Sequence, residues 1–371
     1  MVHSLSYYHE LSGYFATQMS LWQLLFSRPY ICFNSSHINH SCLESLVLLS
    51  SLLKKTSLLR PLAGLSLLLC SSLSLAAHVT SAVNQAVELV VLGNAQDAGY
   101  PQLNCYKPHC MAGWQDPAKR RLATSLGLID HGAKQKFLFE ATPDIKLQLY
   151  RLHLLAADSD YTLAGIMLTH GHMGHYTGLM HLGREAAGAK GVPVFAMPRM
   201  QKYLSTNGPW SQLVSLNNIT LKPLSNNKSV ALTPRVSIVP LQVPHRDEYT
   251  ETVGYRISGP TKTALFIPDI DKWQKWSVNI VEQVKQVDYA LLDATFYDNK
   301  ELPNRDMSEV PHPFVQESMQ LFAGLSAKDK AKVIFIHFNH SNPLLQPGSD
   351  AQKQVTRNGF RFAVEGLTLD L

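Results

Sequence analysis

The chain has 371 residues, enough to bury a core in one large domain or two ordinary ones. With 45% hydrophobic and 16% charged residues it has the composition of a soluble globular protein, not of a disordered or fibrous one. The formal charge of +5 is modest and spread out, part of it on Arg28, Lys54, Lys55 and Arg60, and no basic run is interleaved with aromatics, so charge gives no nucleic-acid partner. Residues 1–85 are rich in Leu and Ser, poor in charge, and lack the strand–turn–helix rhythm that follows. Within them Lys54 to Arg60 reads as a basic n-region, Leu62 to Leu75 as an apolar h-region and Ser74-Leu75-Ala76 as a cleavage site. This signal-peptide-like segment, about 54–76, lies about fifty residues too late, which points to an over-extended start with translation beginning near residue 50. A membrane anchor is the competing reading, but about 16 apolar residues fall short of a span, so no stable membrane span is expected. The expected location is periplasmic or secreted, or cytoplasmic if the leader does not function. Cys32, Cys42 and Cys70 fall in the leader, leaving Cys105 and Cys110 for the rest. That excludes a disulfide-stapled fold and leaves open one local pair or one metal site.

From Ala86 onward short β-rich runs alternate with helical stretches. Val87 to Gly93 reads as a strand, followed by a polar loop through Pro101 and Cys110. Ala123 to Asp130 and Lys136 to Glu140 form a hairpin pair around the turn at His131-Gly132. Leu163 to Leu168 is a short buried strand, and Tyr176 to Ala189 has helical composition and spacing, ending at Gly191-Val192-Pro193. Val194 to Ala196, Asn218 to Leu224, Val236 to Val243, Val253 to Ser258 and Thr263 to Ile267 continue the β content. Asp288 to Leu292 and Lys332 to Ile336 are late strands around a helical segment, Phe314 to Leu325. No internal repeat is visible. The pattern predicts a layered α/β architecture in a single domain over residues 86–371.

The chemistry sits at strand ends. Three histidines fall in Thr169-His170-Gly171-His172-Met173-Gly174-His175, directly after the buried Leu163–Leu168 run. Imidazoles bind borderline metals such as zinc, and a strand end preorients their lone pairs. His170 and His172, two apart on an extended segment, point the same way, while His175 lies a turn further on. Further ligand-capable side chains follow other apolar β runs: His245 after Val243-Pro244, Asp269 after Ile267-Pro268 and His337 after Ile336. Singly each is more often a satisfied structural residue; together and in this order they are specific.

The series His170, His172, His175, His245, Asp269, His337 resembles the metallo-β-lactamase superfamily over essentially all of residues 86–371. The resemblance implies an α/β fold of the αββα-sandwich type in a single domain, two sheets packed between helix layers. It also implies two metal ions, usually zinc, bridged by an Asp and a hydroxide. Carried over, His170, His172 and His245 hold metal one, His175 and His337 hold metal two, Asp269 bridges, and the hydroxide is the nucleophile. The segments Leu92 to Gln102 and Thr142-Pro143-Asp144-Ile145 are similar to segments of the coenzyme PQQ biosynthesis B proteins. They also resemble the branch holding cyclic phosphodiesterases of phosphonate breakdown and tRNase Z. In those phosphodiesterases a structural zinc is held by Cys residues of the first loop and a His three residues after the last catalytic ligand. The corresponding residues are Cys105, Cys110 and His340, with His109 able to replace a missing middle Cys; a Cys105–Cys110 disulfide is the alternative. The same branch implies that His312, in Val310-Pro311-His312-Pro313, protonates the leaving group; the alternative is a histidine packed on prolines.

One position departs from the resemblance. The family pattern H-x-H-x-D-H has Asp where this chain has Gly174. Three outcomes follow: metal two binds weakly, a substrate anion supplies the missing charge, or Asp97, Asp247 or Asp293 reaches in. A plain alternative is that glycine lets the backbone turn freely between His172 and His175. The expected function is a metal-dependent hydrolase using one or two zinc ions, with iron or manganese as alternatives, on a small anionic ester, a phosphodiester first. Rival classes are a PQQ-biosynthesis-B-like, iron-dependent oxidation of a small molecule and a non-catalytic metal-dependent binding protein. Substrate choice is assigned to the segments Pro198 to Leu213 and Tyr297 to Pro311, and nothing fixes the oligomeric state.

Overall fold

The computed structural model describes residues 86–156 and 159–371; the signal-peptide-like segment and the internal start lie outside the described residues. Two seven-stranded sheets form the frame. The first holds, in spatial order, β14 (Thr368–Asp370), β1 (Val87–Gly93), β2 (Ser125–Asp130), β3 (Gln135–Phe139), β4 (Thr162–Met167), β5 (Val192–Ala196) and β6 (Ile219–Pro223). The second holds β13 (Arg361–Phe362), β12 (Val333–Ile336), β11 (Tyr289–Asp293), β10 (Thr263–Ile267), β9 (Val253–Ser258), β8 (Ser237–Gln242) and β7 (Val230–Ala231). Strands β3 to β6 are parallel, and β1 shares their direction because β1 and β3 are both antiparallel to β2. Strands β10 to β13 are parallel as well, and β8 runs with β10 across the antiparallel β9.

Each central strand feeds two cores because its side chains alternate between faces. On β1, Leu89 and Val91 enter the core between the sheets, while Val90 and Leu92 join the outer core. On β10, Ala264 and Phe266 point between the sheets, and Leu265 and Ile267 point outward. The outer face of the first sheet is covered by Ile145 and Leu152 of the helix Ile145–Leu155 and by Met200 and Leu204 of Pro198–Thr206. The outer face of the second is covered by helices Ile280–Lys285, Val315–Leu321 and Asp350–Arg357, through Val284, Val315 and Val355. Two of these helices carry side-chain caps, from Asn279 and Ser349, which satisfy first-turn N–H groups. The result is the expected αββα sandwich.

The helix expected over Tyr176 to Ala189 does not form as such. One α-turn, Met173–Tyr176, passes into a 3-10 segment, Thr177–Leu182, and ends there. Glycines at 178, 183 and 188 interrupt the stretch, and Gly188 adopts a left-handed conformation (φ 53°) that a helix cannot contain. This shortness matters, because it leaves His175 on a turn pinned by its neighbours: Ala141 N–H donates to the His175 carbonyl at 2.9 Å.

Candidate metal centre

The carboxyl ends of β1, β3, β4, β8, β10, β11 and β12 deliver Asp97, Glu140, His170, His245, Asp269, Asp293 and His337 to one rim of the sandwich. His172 sits at the N-terminal boundary of the Met173–Tyr176 turn, so His170 and His172 lie on extended backbone and His175 inside the turn. Gly171 N–H donates to Thr250 Oγ1 at 2.8 Å, and Val253 N–H donates to the Thr169 carbonyl at 3.1 Å, fastening the loop to the second sheet. Glu140 and His337 both adopt left-handed backbone, φ 75° and 71°. Such conformations cost on the order of 1 kcal/mol or more each and persist where the surroundings enforce them.

Two ligand sets result. His170, His172, His245 and Asp269 place one ligand atom each within 4.8 Å of one another, and so do Asp97, His175 and His337. Asp269 faces both sets: its Oδ1 lies 3.3 Å from His245 Nε2, and its Oδ2 lies 3.4 Å from His170 Nε2 and 3.7 Å from His175 Nε2. His170 Nε2 and His172 Nδ1 approach to 2.8 Å. The structure thus brings together all six residues expected from the sequence.

Whether these residues fit a metal is decided by their leftover lone pairs. The Nε2 atoms of His175, His245 and His337 and Oδ1 of Asp269 are buried with no hydrogen-bond partner among the described residues. Leaving each unsatisfied would cost about 1–3 kcal/mol, a penalty that a coordinated cation removes. The opposite ring nitrogens face oxygen atoms, with a hydrogen bond in the case of His337. His175 Nδ1 faces Glu140 Oε1 and His245 Nδ1 faces Asp271 Oδ1, both at 3.3 Å. Thr295 Oγ1 donates to Asp293 Oδ1 at 2.7 Å and therefore accepts from His337 Nδ1 at 3.0 Å. For His337 this leaves the Nε2 lone pair toward the centre, and His175 and His245 turn Nδ1 to a carboxylate in the same sense, the outer-shell arrangement that metal-ligating histidines use. The donor set of imidazoles and carboxylate suits zinc and related ions.

Protonation follows the same geometry. Burial, reinforced by neighbouring imidazoles, holds His170 well below its ordinary value, and burial also lowers His172 and His337, leaving neutral rings with available lone pairs. Burial alone would lower His175, but the Glu140 carboxylate, with Asp269 and Asp97, overcomes it and pushes the ring up to about 9. Burial alone would raise Asp269; His245 and His312 instead hold it well below the usual carboxylate range.

His312 belongs to the centre and is not packed merely on prolines. Its Nδ1 lies 2.9 Å from Asp293 Oδ2 and 3.1 Å from Asp269 Oδ1, and the residue is buried. The carboxylates outweigh the cost of burial and push the ring up to about 10. Beside His172 opens a cleft of about 520 Å³, lined among others by Met173, Tyr176, Tyr203, Glu248 and Tyr249. Tyr203 belongs to the segment assigned to substrate choice, Pro198 to Leu213. The other assigned segment is fastened at its base by Glu301, which accepts from Tyr297 N–H at 2.6 Å and from Ser341 Oγ.

Burial pushes Glu301 from 4.5 up to about 7 despite these donors. The folded state therefore holds a proton that the unfolded chain has already lost between pH 4.5 and about 7. Stability falls as pH rises through that window, by about 3 kcal/mol, and levels off above it. Glu301→Gln should flatten this slope in urea titrations run from pH 4.5 to 8; an unchanged slope would assign it to other groups.

Cys105 and Cys110 are joined as a disulfide, with their Cα atoms 6.0 Å apart. His109 and His340 stand beside them, the four ligand atoms lying within 4.8 Å of one another. Burial, with His109 and Lys107 nearby, pushes His340 down to about 4. Of the two alternatives the sequence left open, the structure has the disulfide, and bonded sulfurs offer no thiolate for a zinc ion. Reasoning from sequence missed Glu140, Asp271 and Thr295. Glu140 carried a readable signal, an acid ending the apolar run Phe137-Leu138-Phe139, as Asp293 ends Ala290-Leu291-Leu292.

A histidine-rich cluster around one buried carboxylate that faces both ligand sets, on the rim of an αββα sandwich, defines a protein of metallo-β-lactamase type. Residues 135–338 match the beta-lactamase superfamily domain, more than half of the chain, and the chain belongs to that superfamily. It is similar to the coenzyme PQQ synthesis protein B of Methylobacterium sp. (strain 4-46), 26% identical over 308 residues, covering 77% of this chain and 100% of the relative. The Gluconobacter oxydans (strain 621H) protein of the same name is 27% identical over 309 residues, covering 77% and 99%. Among solved structures, Zn(2+)-bound PqqB from Methylobacterium extorquens matches with a TM-score of 0.65 at 21% identity, covering 76% of this chain and 100% of that one. A diphosphatase from the PhnP family matches with a TM-score of 0.55 at 22% identity, covering 77% and 98%. At these identities the two structures speak for the fold alone.

Proposed function

We propose that the protein is a metal-dependent hydrolase of small anionic esters, with phosphodiesters the first class to test. The observation that carries this reading is Asp269, one buried carboxylate facing both ligand sets at 3.3–3.7 Å. The zinc-bound state of one structural relative and the diphosphatase activity named for another support it. Zinc or a similar ion held by His170, His172 and His245, and by His175 and His337, with Asp269 between, would supply Lewis acidity and activate water near neutral pH. Histidine ligands add no negative charge of their own, so such a centre stays positive and draws an anionic group. Among the described residues the adjoining cleft is lined by Tyr176, Tyr203 and Tyr249 and by the acid Glu248, without Lys or Arg, so in this reading the body of the substrate rests on the tyrosines while its anionic group faces the histidines.

His312 serves as the leaving-group acid in this reading. Its Nδ1 is hydrogen-bonded to Asp293 and faces Asp269, it keeps its proton at neutral pH, and the other ring nitrogen is left to give a proton to an alkoxide of higher pKa. His312→Gln should lower kcat about 100-fold on an alkyl phosphodiester and only a few-fold on bis-p-nitrophenyl phosphate, whose leaving group needs no proton. Equal losses on both would remove the acid role. The whole reading is tested by metal analysis with turnover assays on phosphodiesters, lactones and β-lactams: iron with oxygen uptake and no hydrolysis would replace it with the oxidative class, and a metal-loaded protein inert on all of them would replace it with a binding protein. The Cys105–Cys110 disulfide supports export to an oxidising compartment, which fractionation of cells expressing the full chain would check.

A further inference from the structure

We infer that Asp97, brought in by the loop after β1, is a ligand of the second metal set, and that position 174 is glycine because Asp97 occupies the space a side chain there would need. The inference rests on the metal-dependent reading above. A Cβ at Gly174 would lie 2.3 Å from Asp97 Cα, 2.7 Å from Asp97 Oδ1 and 3.0 Å from the Asp97 carbonyl carbon. Two of those atoms are backbone, so no rotation of the Asp97 side chain relieves the clash. Freedom to turn does not explain the glycine: Gly174 lies within the helical turn Met173–Tyr176 and has no left-handed φ.

The second observation is on the receiving side. His175 Nε2 and His337 Nε2 are buried without hydrogen-bond partners, their residues 1% and 0% exposed, and Asp97 is the third member of their set. Asp97 Oδ1 lies 3.7 Å from His175 Nε2. The loop that carries Asp97 is fixed from several sides. Gln96 N–H donates to the Phe338 carbonyl at 2.8 Å, next to His337, and Phe338 N–H returns to the Asn94 carbonyl at 2.9 Å. Thr124 N–H donates to the Ala95 carbonyl at 2.7 Å. Asp97 itself sits at φ 42°, a conformation that Asp tolerates better than most residues.

Of the three acids that the sequence offers in place of the missing Asp, the other two are hydrogen-bonded elsewhere. Asp293 accepts from Ile270 N–H, Thr295 and His312, and Asp247 accepts from Thr252 Oγ1 at 3.1 Å. A carboxylate that the turn does not carry therefore arrives from the loop after β1, and the second set keeps an anion beside the shared Asp269. Ligand and glycine are coupled, because the backbone that presents Asp97 leaves no room for a side chain at 174.

Zinc titration of the full chain, by calorimetry with a competing chelator and by elemental count, tests this. Wild type should bind two ions at the centre. Asp97→Ala and the isosteric Asp97→Asn should weaken the second ion about 100-fold and the first only a few-fold. Gly174→Asp should also lose the second ion, by displacing the loop that carries Asp97, and because two of the clashing atoms are backbone, adding Asp97→Gly should not restore it. Circular dichroism identifies any variant that fails to fold, and Asp97→Asn, which adds no bulk, carries the test if others do. Two ions at unchanged affinity in Asp97→Asn, or a gain of the second ion in Gly174→Asp alone, overturns the inference and leaves the hydrolase reading standing. A wild type that binds no ion overturns both.

Discussion

Asp269→Ala should strip the centre of bound metal and lower kcat/KM on a phosphodiester by at least about a thousandfold, roughly 4 kcal/mol of transition-state stabilisation. Among the described residues Asp269 is the carboxylate that faces both ligand sets. Its carboxylate lies 3.3–3.7 Å from histidines of each, on a buried residue two positions beyond β10. Loss of Asp269 also takes one of two carboxylates from His312, while Asp293 at 2.9 Å remains. Asp269→Asn separates shape from charge: it fills the same space but offers a weak neutral ligand. The expected order in both zinc affinity and kcat/KM is wild type, then Asn, then Ala, with elemental analysis and turnover read on the same samples. Full zinc content with full activity in Asp269→Ala would refute a shared carboxylate and require two independent sites.

The parts of this centre that the sequence makes legible are those where a ligand follows its own strand. Ala264-Leu265-Phe266-Ile267 alternates between cores, and Asp269 comes two residues later at the rim; His337 follows Val333–Ile336 in the same way. The outer-shell partners are hidden because their meaning is spatial. Glu140 meets His175 from a different strand, and Thr295 means nothing until β11 and β12 pair in parallel. Gly174 carries the same lesson. Its sequence context offers backbone freedom as the reason for a glycine, whereas the structure gives occupied space, and only a residue far away in the chain supplies it. The overlong helix after His175 failed because composition favoured it and three glycines decided otherwise.

The frame that holds these strand ends in register yields the second large effect. Phe139→Ala should cost about 3–5 kcal/mol of stability, a large share of what a domain of this kind possesses. Phe139 is fully buried between the sheets, edge-on to Tyr255 at 5.5 Å and to Phe266 at 6.2 Å, both from the second sheet. Truncation removes those contacts and leaves a cavity where two rigid sheets cannot collapse. Phe139→Leu fills most of the space and should cost less than half as much. The next residue is Glu140, held in left-handed backbone against His175, so slack in β3 is transmitted to the second ligand set. Zinc, binding the folded state only, should then raise the denaturation midpoint of the alanine variant by a smaller increment than it raises that of the leucine variant or wild type. Urea unfolding with and without zinc, at constant m, reads both effects. A loss under about 1 kcal/mol in metal-free Phe139→Ala would mean that the sheets repack around the missing ring, and that the rim is held by its loops and not by the core beneath it.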